Sequence, residues 1–157
     1  MKITAVLAMD EMYGIGKDGW LPWHIPEDMK HFRELTMGKV VVMGSRTYES
    51  LPVQFRPLPG RTNLVLSKYS IDGVQTFDSI SKLLEYCKQK WFEEVFIIGG
   101  AMIYNTFFQD QLIDQVELTL VSGDYHSDTF ITDFRSNYSL VSSQEHSTFS
   151  FLTYVRK

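Results

Sequence analysis

Apolar positions along the chain fall into short runs between turn-forming residues, and their spacing switches between two periods. Ile3–Met9 is mostly apolar and ends at Asp10, the pattern of a buried central strand. Lys39–Met43 is short and β-branched, Thr62–Leu66 is an apolar strand, Val74–Phe77 is a short one, and Glu94–Ile98 is apolar from Val95 onward. Two stretches carry the helical period. Asp28, Phe32 and Leu35 fall at i, i+4 and i+7, and Ile80, Leu83, Leu84 and Cys87 at i, i+3, i+4 and i+7. These predict helices beginning at Pro26, whose missing N–H is no loss in a first turn, and within Ser79–Lys90. Gly44-Ser45-Arg46-Thr47 opens a brief helix, and Ala101–Phe108 is another. From Gln115 onward, Val116–Val121, Tyr138–Glu145 and Ser147–Val155 alternate like antiparallel strands with no helix between them. The order predicts an α/β fold: a mostly parallel central β-sheet with an antiparallel C-terminal edge and helices on both faces.

Composition narrows the function classes. At 157 residues the chain reads as a single domain, 1–157, with 44% hydrophobic and 22% charged residues. A net charge of −4 argues against nucleic-acid binding. No run of about 18 apolar residues is present, and the apolar run before Asp10 is too short for a signal peptide. Cys87, the only cysteine, rules out an intrachain disulfide and falls on the apolar face of its helix. His24, His31, His126 and His146 lack HExxH-type spacing, so no metal is assigned.

Several positions invite chemistry. Helical spacing puts Asp28 on the face shared by Phe32 and Leu35, near the helix's positive end. A carboxylate buried there without a partner is costly and its pKa rises. It either meets a cationic or N–H-rich ligand or caps its own helix, and the local sequence leaves both open. Asp10–Trp20 is a long glycine-bearing loop between strand and helix, a candidate lid or a plain connector. Gly14, Gly16 and Gly19 match a dinucleotide fingerprint in spacing only, because the helix does not follow directly. Gly44-Ser45-Arg46-Thr47 after a strand can cradle phosphate or simply cap a helix. Leu51–Gly60 is a proline-rich loop presenting Arg56 and Arg61, and Arg61 at the entry to a strand can bind a carboxylate bidentately. Ser67-Lys68 follows a strand's carboxyl end, where open α/β sheets bind ligands. Gly99-Gly100 between strand and helix permits close backbone approach or makes a tight turn.

These pieces together resemble the dihydrofolate reductase family, in detail its Gram-positive bacterial members. The matching segments are Ala8-Met-Asp10, Gly14-Ile-Gly-Lys-Asp-Gly19, Leu21-Pro-Trp-His24, Asp28-Met-Lys-His-Phe32, Met43-Gly-Ser-Arg-Thr-Tyr-Glu-Ser50, Arg56-Pro-Leu-Pro-Gly-Arg61-Thr-Asn63 and Ile98-Gly-Gly-Ala-Met-Ile-Tyr104. They run in order over nearly the whole chain. The resemblance implies NADPH-dependent reduction of dihydrofolate to tetrahydrofolate by a cytoplasmic monomer. It implies a role in one-carbon metabolism, antifolate drugs as inhibitors, and no nucleic-acid or membrane partner. It also implies an adenosine-binding subdomain over roughly 39–91, the rest forming a discontinuous loop subdomain, and a cis Gly99–Gly100 bond.

The same resemblance assigns roles. Asp28 would promote protonation of the pterin, with Thr119 bridging to it and Trp23 positioning an ordered water nearby. Val6, Ala8, Met29, Phe32, Leu51, Leu58 and Ile98 would wall the pterin and benzoyl parts. Arg61 would bind the substrate's α-carboxylate, with Arg56 closer to the glutamyl end. On the cofactor side, Ala8 and Ile15 would meet the carboxamide, and Trp20 and Leu21 would cover the nicotinamide. Gly44, Ser45, Arg46, Thr47, Gly99, Gly100, Ala101, Met102, Ile103 and Tyr104 would surround the phosphates and nicotinamide ribose. Leu66, Ser67 and Lys68 would complete the adenosine side.

Three positions depart from the family pattern. Ser45 stands where a basic residue is frequent, Ala101-Met102 where another Gly and sometimes Arg occur, and Ser127-Asp128-Thr129 where Gly-Asp-Thr is familiar. Two other readings are a same-fold reductase of a ribosylated pyrimidine and a non-catalytic NADP-binding module. The first would not need Asp28, Trp23 and Arg61 together; NADPH loss that depends on dihydrofolate separates all three.

Overall fold

A computed structural model of the chain describes residues 1–17 and 21–157. Its elements run β1 (Lys2–Asp10), β2 (Gly14–Gly16), α1 (Pro26–Thr36), β3 (Val40–Gly44), α2 (Ser45–Ser50), β4 (Thr62–Leu66), β5 (Gln75–Phe77) and α3 (Ile80–Gln89). They continue as β6 (Glu94–Gly99), α4 (Ala101–Gln109), β7 (Gln115–Val121), β8 (Thr129–Phe130), β9 (Tyr138–Glu145) and β10 (Phe149–Arg156). Eight strands form one sheet in the order β5-β4-β3-β6-β1-β7-β10-β9. From β5 to β7 every pairing is parallel, and β10 runs antiparallel to both β7 and β9. The α/β class and the antiparallel edge expected from the alternating pattern are what the chain adopts.

Strand alternation sorts the core into two layers. Ile3, Ala5, Leu7 and Met9 of β1 join Leu83 and Cys87 of α3 and Tyr104, Phe107 and Phe108 of α4. Val6 of β1 joins Val41, Met43, Val65 and Phe96, the α2 residue Tyr48, and the α1 residues Phe32 and Leu35. Helices thus cover both faces, α3 and α4 on one and α1 and α2 on the other. Cys87 is fully buried as its helical spacing requires, and burial pushes its thiol up to about 11.

Two local features were not visible in the hydrophobic pattern. The glycine-bearing loop after β1 contains β2, which pairs antiparallel with β8 in a separate two-stranded sheet. The proline-rich loop is held by Asn63: its Oδ1 accepts from Leu58 N at 2.8 Å, while Nδ2 donates to Leu58 O at 3.0 Å and Arg61 O at 3.1 Å. That loop contains a cis Arg56–Pro57 bond, and Gly99–Gly100 is also cis, as the resemblance implies.

Candidate active site

Thr119 of β7 ties the start of α1 to the sheet. Ile25, not Asp28, occupies its N-cap position, and Pro26 starts the helix. The capping alternative for Asp28 is therefore replaced by a tertiary one: Thr119 Oγ1 donates to Asp28 Oδ1 at 2.6 Å. Thr119 sits on β7 opposite Ala8 of β1, almost fully buried. The face expected to be buried is partly so: Asp28, Phe32 and Leu35 are half-buried, Phe32 and Leu35 pack against the core, and Thr36 is the fully buried residue of α1. Asp28 is thus half-buried and anchored through Oδ1 to the sheet.

Electrostatics agrees with that placement. Burial raises the Asp28 carboxyl above its ordinary value; the Thr119 hydrogen bond and the charge of His31 pull it partway back. His31, one turn along α1, stacks on Phe151 at 3.9 Å, and Phe151 is the strand partner of Thr119. Tyr104 lies buried nearby, donating to Val6 O at 2.6 Å, with its phenol pushed strongly upward by burial and, less, by Asp28. Among the expected cradle residues Tyr104 is thus turned inward, tying α4 to β1.

Five of the expected wall residues, Val6, Phe32, Leu51, Leu58 and Ile98, pack into one apolar cluster beside Asp28. Ala8 is half-buried, Met29 is exposed, and Trp20 lies outside the described residues. Trp23 is half-buried and sits edge-on to Tyr125 at 5.3 Å. Its Nε1 is buried and has no hydrogen-bond partner among the described residues.

The two arginines of the proline-rich loop separate. Arg61 Nε donates to Pro59 O at 2.9 Å and its Nη1 to Thr36 Oγ1 at 3.2 Å, which holds the guanidinium half-buried against the end of α1. Burial and the neighbouring Arg33 lower its pKa. Arg56 is different. Its Nη2 donates to Glu49 O at 2.7 Å and Leu51 O at 2.8 Å, and the group lies over the Tyr48 ring. Nη2 thus ties Arg56 to the end of α2, while its buried Nε has no partner among the described residues.

Across the sheet, β3 and β6 run side by side and deliver the starts of α2 and α4 to one place. A Cβ on Gly44 would lie 3.2 Å from Ile103 Cγ1, and one on Gly100 would lie 3.4 Å from Thr47 Oγ1, so the two glycines let the helix starts face each other. Among the described residues no side chain caps α4, whose first N–H groups have no acceptor within the helix. Arg46 and Met102 are exposed at these helix starts, where Ser45, Thr47, Ala101 and Ile103 are half-buried; elsewhere Leu21 is exposed and Ile15 half-buried. At the end of β4, Leu66 and Ser67 are half-buried and Lys68 is exposed. Tyr69 bridges there: its hydroxyl donates to Glu49 Oε1 at 2.5 Å and also bonds Ser45.

Asp10, Asn63 and Tyr104 carry hydrogen-bonding roles that sequence spacing did not reveal. Asp10 and Asn63 sit in matched motifs, which was the one available signal. Among the described residues no cluster of three or more His, Cys, Asp and Glu could hold a metal, and no helix is long and apolar enough to cross a membrane.

Comparison with known proteins fits this geometry. The dihydrofolate reductase family model matches residues 2–156. The dihydrofolate reductase of Bacillus subtilis is 34% identical over 99% of this chain and 95% of its own length. The bifunctional dihydrofolate reductase-thymidylate synthase of Glycine max is 37% identical over 96% of this chain, which spans only 33% of that longer protein. A solved dihydrofolate reductase from Enterococcus faecalis, complexed with NADP(H) and RAB-propyl, superimposes with a TM-score of 0.84 at 30% identity, over 99% of this chain and 96% of that one. With a family match over nearly its full length, a shared fold and Asp28 paired to Thr119 beside an apolar wall, this chain belongs to the dihydrofolate reductase family.

Proposed function

We propose that this chain reduces dihydrofolate to tetrahydrofolate with NADPH, Asp28 promoting protonation of the pterin. The observation that carries the reading is Asp28 itself: a carboxylate raised by burial, anchored through Oδ1 by Thr119, beside the apolar cluster of Val6, Phe32, Leu51, Leu58 and Ile98. A carboxylate with one oxygen anchored can accept hydrogen bonds from the pterin's amino group and ring N–H with the other. Its negative charge favours a positively charged pterin and so raises the basicity of the ring nitrogen that takes the proton. The carboxylate engages another edge of the ring, so the proton reaches that nitrogen through water. Trp23 Nε1, a buried donor with no partner among the described residues, is the group that would hold such a water near Asp28. The apolar wall keeps the remainder of the site dry.

The cradle between α2 and α4 fits a dinucleotide with phosphates. The uncapped N–H groups of α4 and the exposed Arg46 suit the bridging phosphates, and Ala8 and Ile15 would meet the carboxamide through their backbones. Leu21 would cover the nicotinamide, with Thr47, Gly100, Ala101, Met102 and Ile103 around the ribose and phosphates. When bound, NADPH supplies the hydride that adds to the carbon of the pterin C=N bond. Arg61, held by Pro59 O and Thr36 Oγ1, would pair with the α-carboxylate of the substrate tail. On the same reading residues 39–91 form the adenosine-binding part of a cytoplasmic monomer serving one-carbon metabolism.

The test is spectrophotometric. Purified chain mixed with NADPH should lose reduced-nicotinamide absorbance only when dihydrofolate is added. Loss that needs a ribosylated pyrimidine instead, or no loss with either, would overturn the reading.

A further inference from the structure

Asp10 closes β1 and is fully buried, yet no step of the proposed reaction uses it. Its two oxygens point to two different loops. Oδ1 accepts from Met12 N and Gly14 N, both at 2.9 Å, within the loop that leads into β2. Oδ2 accepts from Tyr125 N at 3.0 Å, 115 residues away, in the loop between β7 and β8. A buried carboxylate that accepts three backbone N–H groups is fully satisfied and holds their segments in fixed relation.

The contacts around it show how tightly the loops meet. A Cβ on Gly14 would lie 2.4 Å from Ser127 Oγ and 2.5 Å from Ser127 Cβ, so only glycine admits the second loop here. Glu11 N donates to Gly123 O and Gly123 N to Glu11 Oε2, both at 3.1 Å. Asp128 N donates to Gly16 O at 2.9 Å, and Ile131 N to Tyr13 O at 3.0 Å.

Each oxygen leads to a different residue of the proposed site. From Gly14 the chain passes directly to Ile15, read as a carboxamide contact. Tyr125 carries the ring that meets Trp23 edge-on at 5.3 Å, and Trp23 is read as the holder of a water near Asp28. We propose that Asp10 is a positioning residue that sets both ends of the reacting centre: through Oδ1 it places Ile15 for the cofactor, and through Oδ2 and Tyr125 it places Trp23 for the proton. This inference rests on the proposed reading of Ile15 and Trp23.

Asp10→Asn splits the two roles. An amide has one accepting oxygen and one donating nitrogen. It loses least by keeping the oxygen on Met12 and Gly14 and turning the nitrogen toward the single N–H of Tyr125, where donor meets donor. Amide hydrogen exchange in Asp10→Asn should then speed up at Tyr125 by about tenfold or more and change little at Met12 and Gly14, the scale of one lost hydrogen bond to a charged group. Turnover should fall about five- to tenfold while the NADPH dissociation constant stays within about twofold. Tyr125→Leu keeps the N–H but removes the ring from Trp23. It should lower turnover similarly, and the double variant should fall little further than either single one, as for two residues acting along one route.

Three results would overturn the proposal: exchange rising equally at all three amides, NADPH affinity falling while exchange at Met12 and Gly14 stays unchanged, or additive losses in the double variant. Each would mean that Asp10 only holds the fold. Should Asp10→Asn not fold, Tyr125→Leu decides alone, because unchanged turnover there removes the route to Trp23. A wild-type chain that does not bind NADPH would instead defeat the reading of the site, and the amide pattern still tests the two-loop staple by itself.

Discussion

Thr119 Oγ1 and Asp28 Oδ1 are 2.6 Å apart, although 91 residues separate them in the chain. The pair joins α1 to β7 across the mouth of the sheet. Thr119→Val keeps the shape and removes the donor, and with it the bond that lowers the Asp28 pKa. Asp28 should then sit still further above its unfolded value, which makes its ionised form the costly one. The expected loss of stability is about 1–3 kcal/mol at neutral pH. Since a raised carboxyl pKa destabilises only where the folded state must ionise, that loss should fade as pH falls through the folded pKa toward the unfolded one. Urea unfolding of both proteins across this range checks the sign; a loss that persists in acid would mean that packing is responsible.

How much of this was legible in the sequence depends on the range of each interaction. Ile3–Met9 and the Cys87 helix were readable because a period of two or 3.6 is a local property that burial enforces. The Thr119–Asp28 pair came from family resemblance, since no spacing rule links residues so far apart. Asp10 and Asn63 read as ordinary polar residues because their partners are backbone N–H and C=O groups, which every residue supplies. Their roles exist only once the loops they hold have a shape. Arg56 Nη2 binds the carbonyls of Glu49 and Leu51, an engagement set by the turn after α2 that composition does not encode. The β2–β8 pair was missed because segments of three and two residues carry no periodicity.

Arg61 is held by Pro59 O and Thr36 Oγ1, so its fork is oriented before a ligand arrives. Arg61→Leu should weaken dihydrofolate by about 2–4 kcal/mol, the upper part reflecting a substrate carboxylate left without its charge-assisted pair. A pterin lacking the glutamate tail should bind with almost unchanged affinity. Thr36→Val should give a smaller loss of the same selectivity, because it frees the guanidinium without removing it. Isothermal titration with both ligands checks this, and equal weakening of the two would make Arg61 structural.

Choice of cofactor turns on the adenosine edge. Ser45 supplies no charge there, and the Tyr69 hydroxyl occupies Glu49 Oε1, so the exposed Arg46 and Lys68 are the cations available nearby. Lys68→Ala should weaken NADPH by about tenfold or more, the scale of one charge-assisted contact to a phosphate, and leave NADH almost unchanged. The penalty should shrink at high salt. Dissociation constants for both cofactors test it: an unchanged NADPH-to-NADH ratio would pass the role to Arg46.

The most direct measurement is the hydride-transfer rate of Asp28→Asn against wild type, in single turnover across pH. Asn keeps the bond from Thr119 and removes only the charge, so the fold should survive. It should even gain stability at neutral pH, seen as a higher melting temperature, because the burial cost of the charge is gone. That gain should disappear in acid, where Asp28 is protonated in folded and unfolded chains alike. Hydride transfer should fall by at least ~10²-fold at neutral pH and recover partly at low pH, where dihydrofolate protonates without help. A folded Asp28→Asn protein that turns over like wild type at neutral pH would contradict the assignment of Asp28.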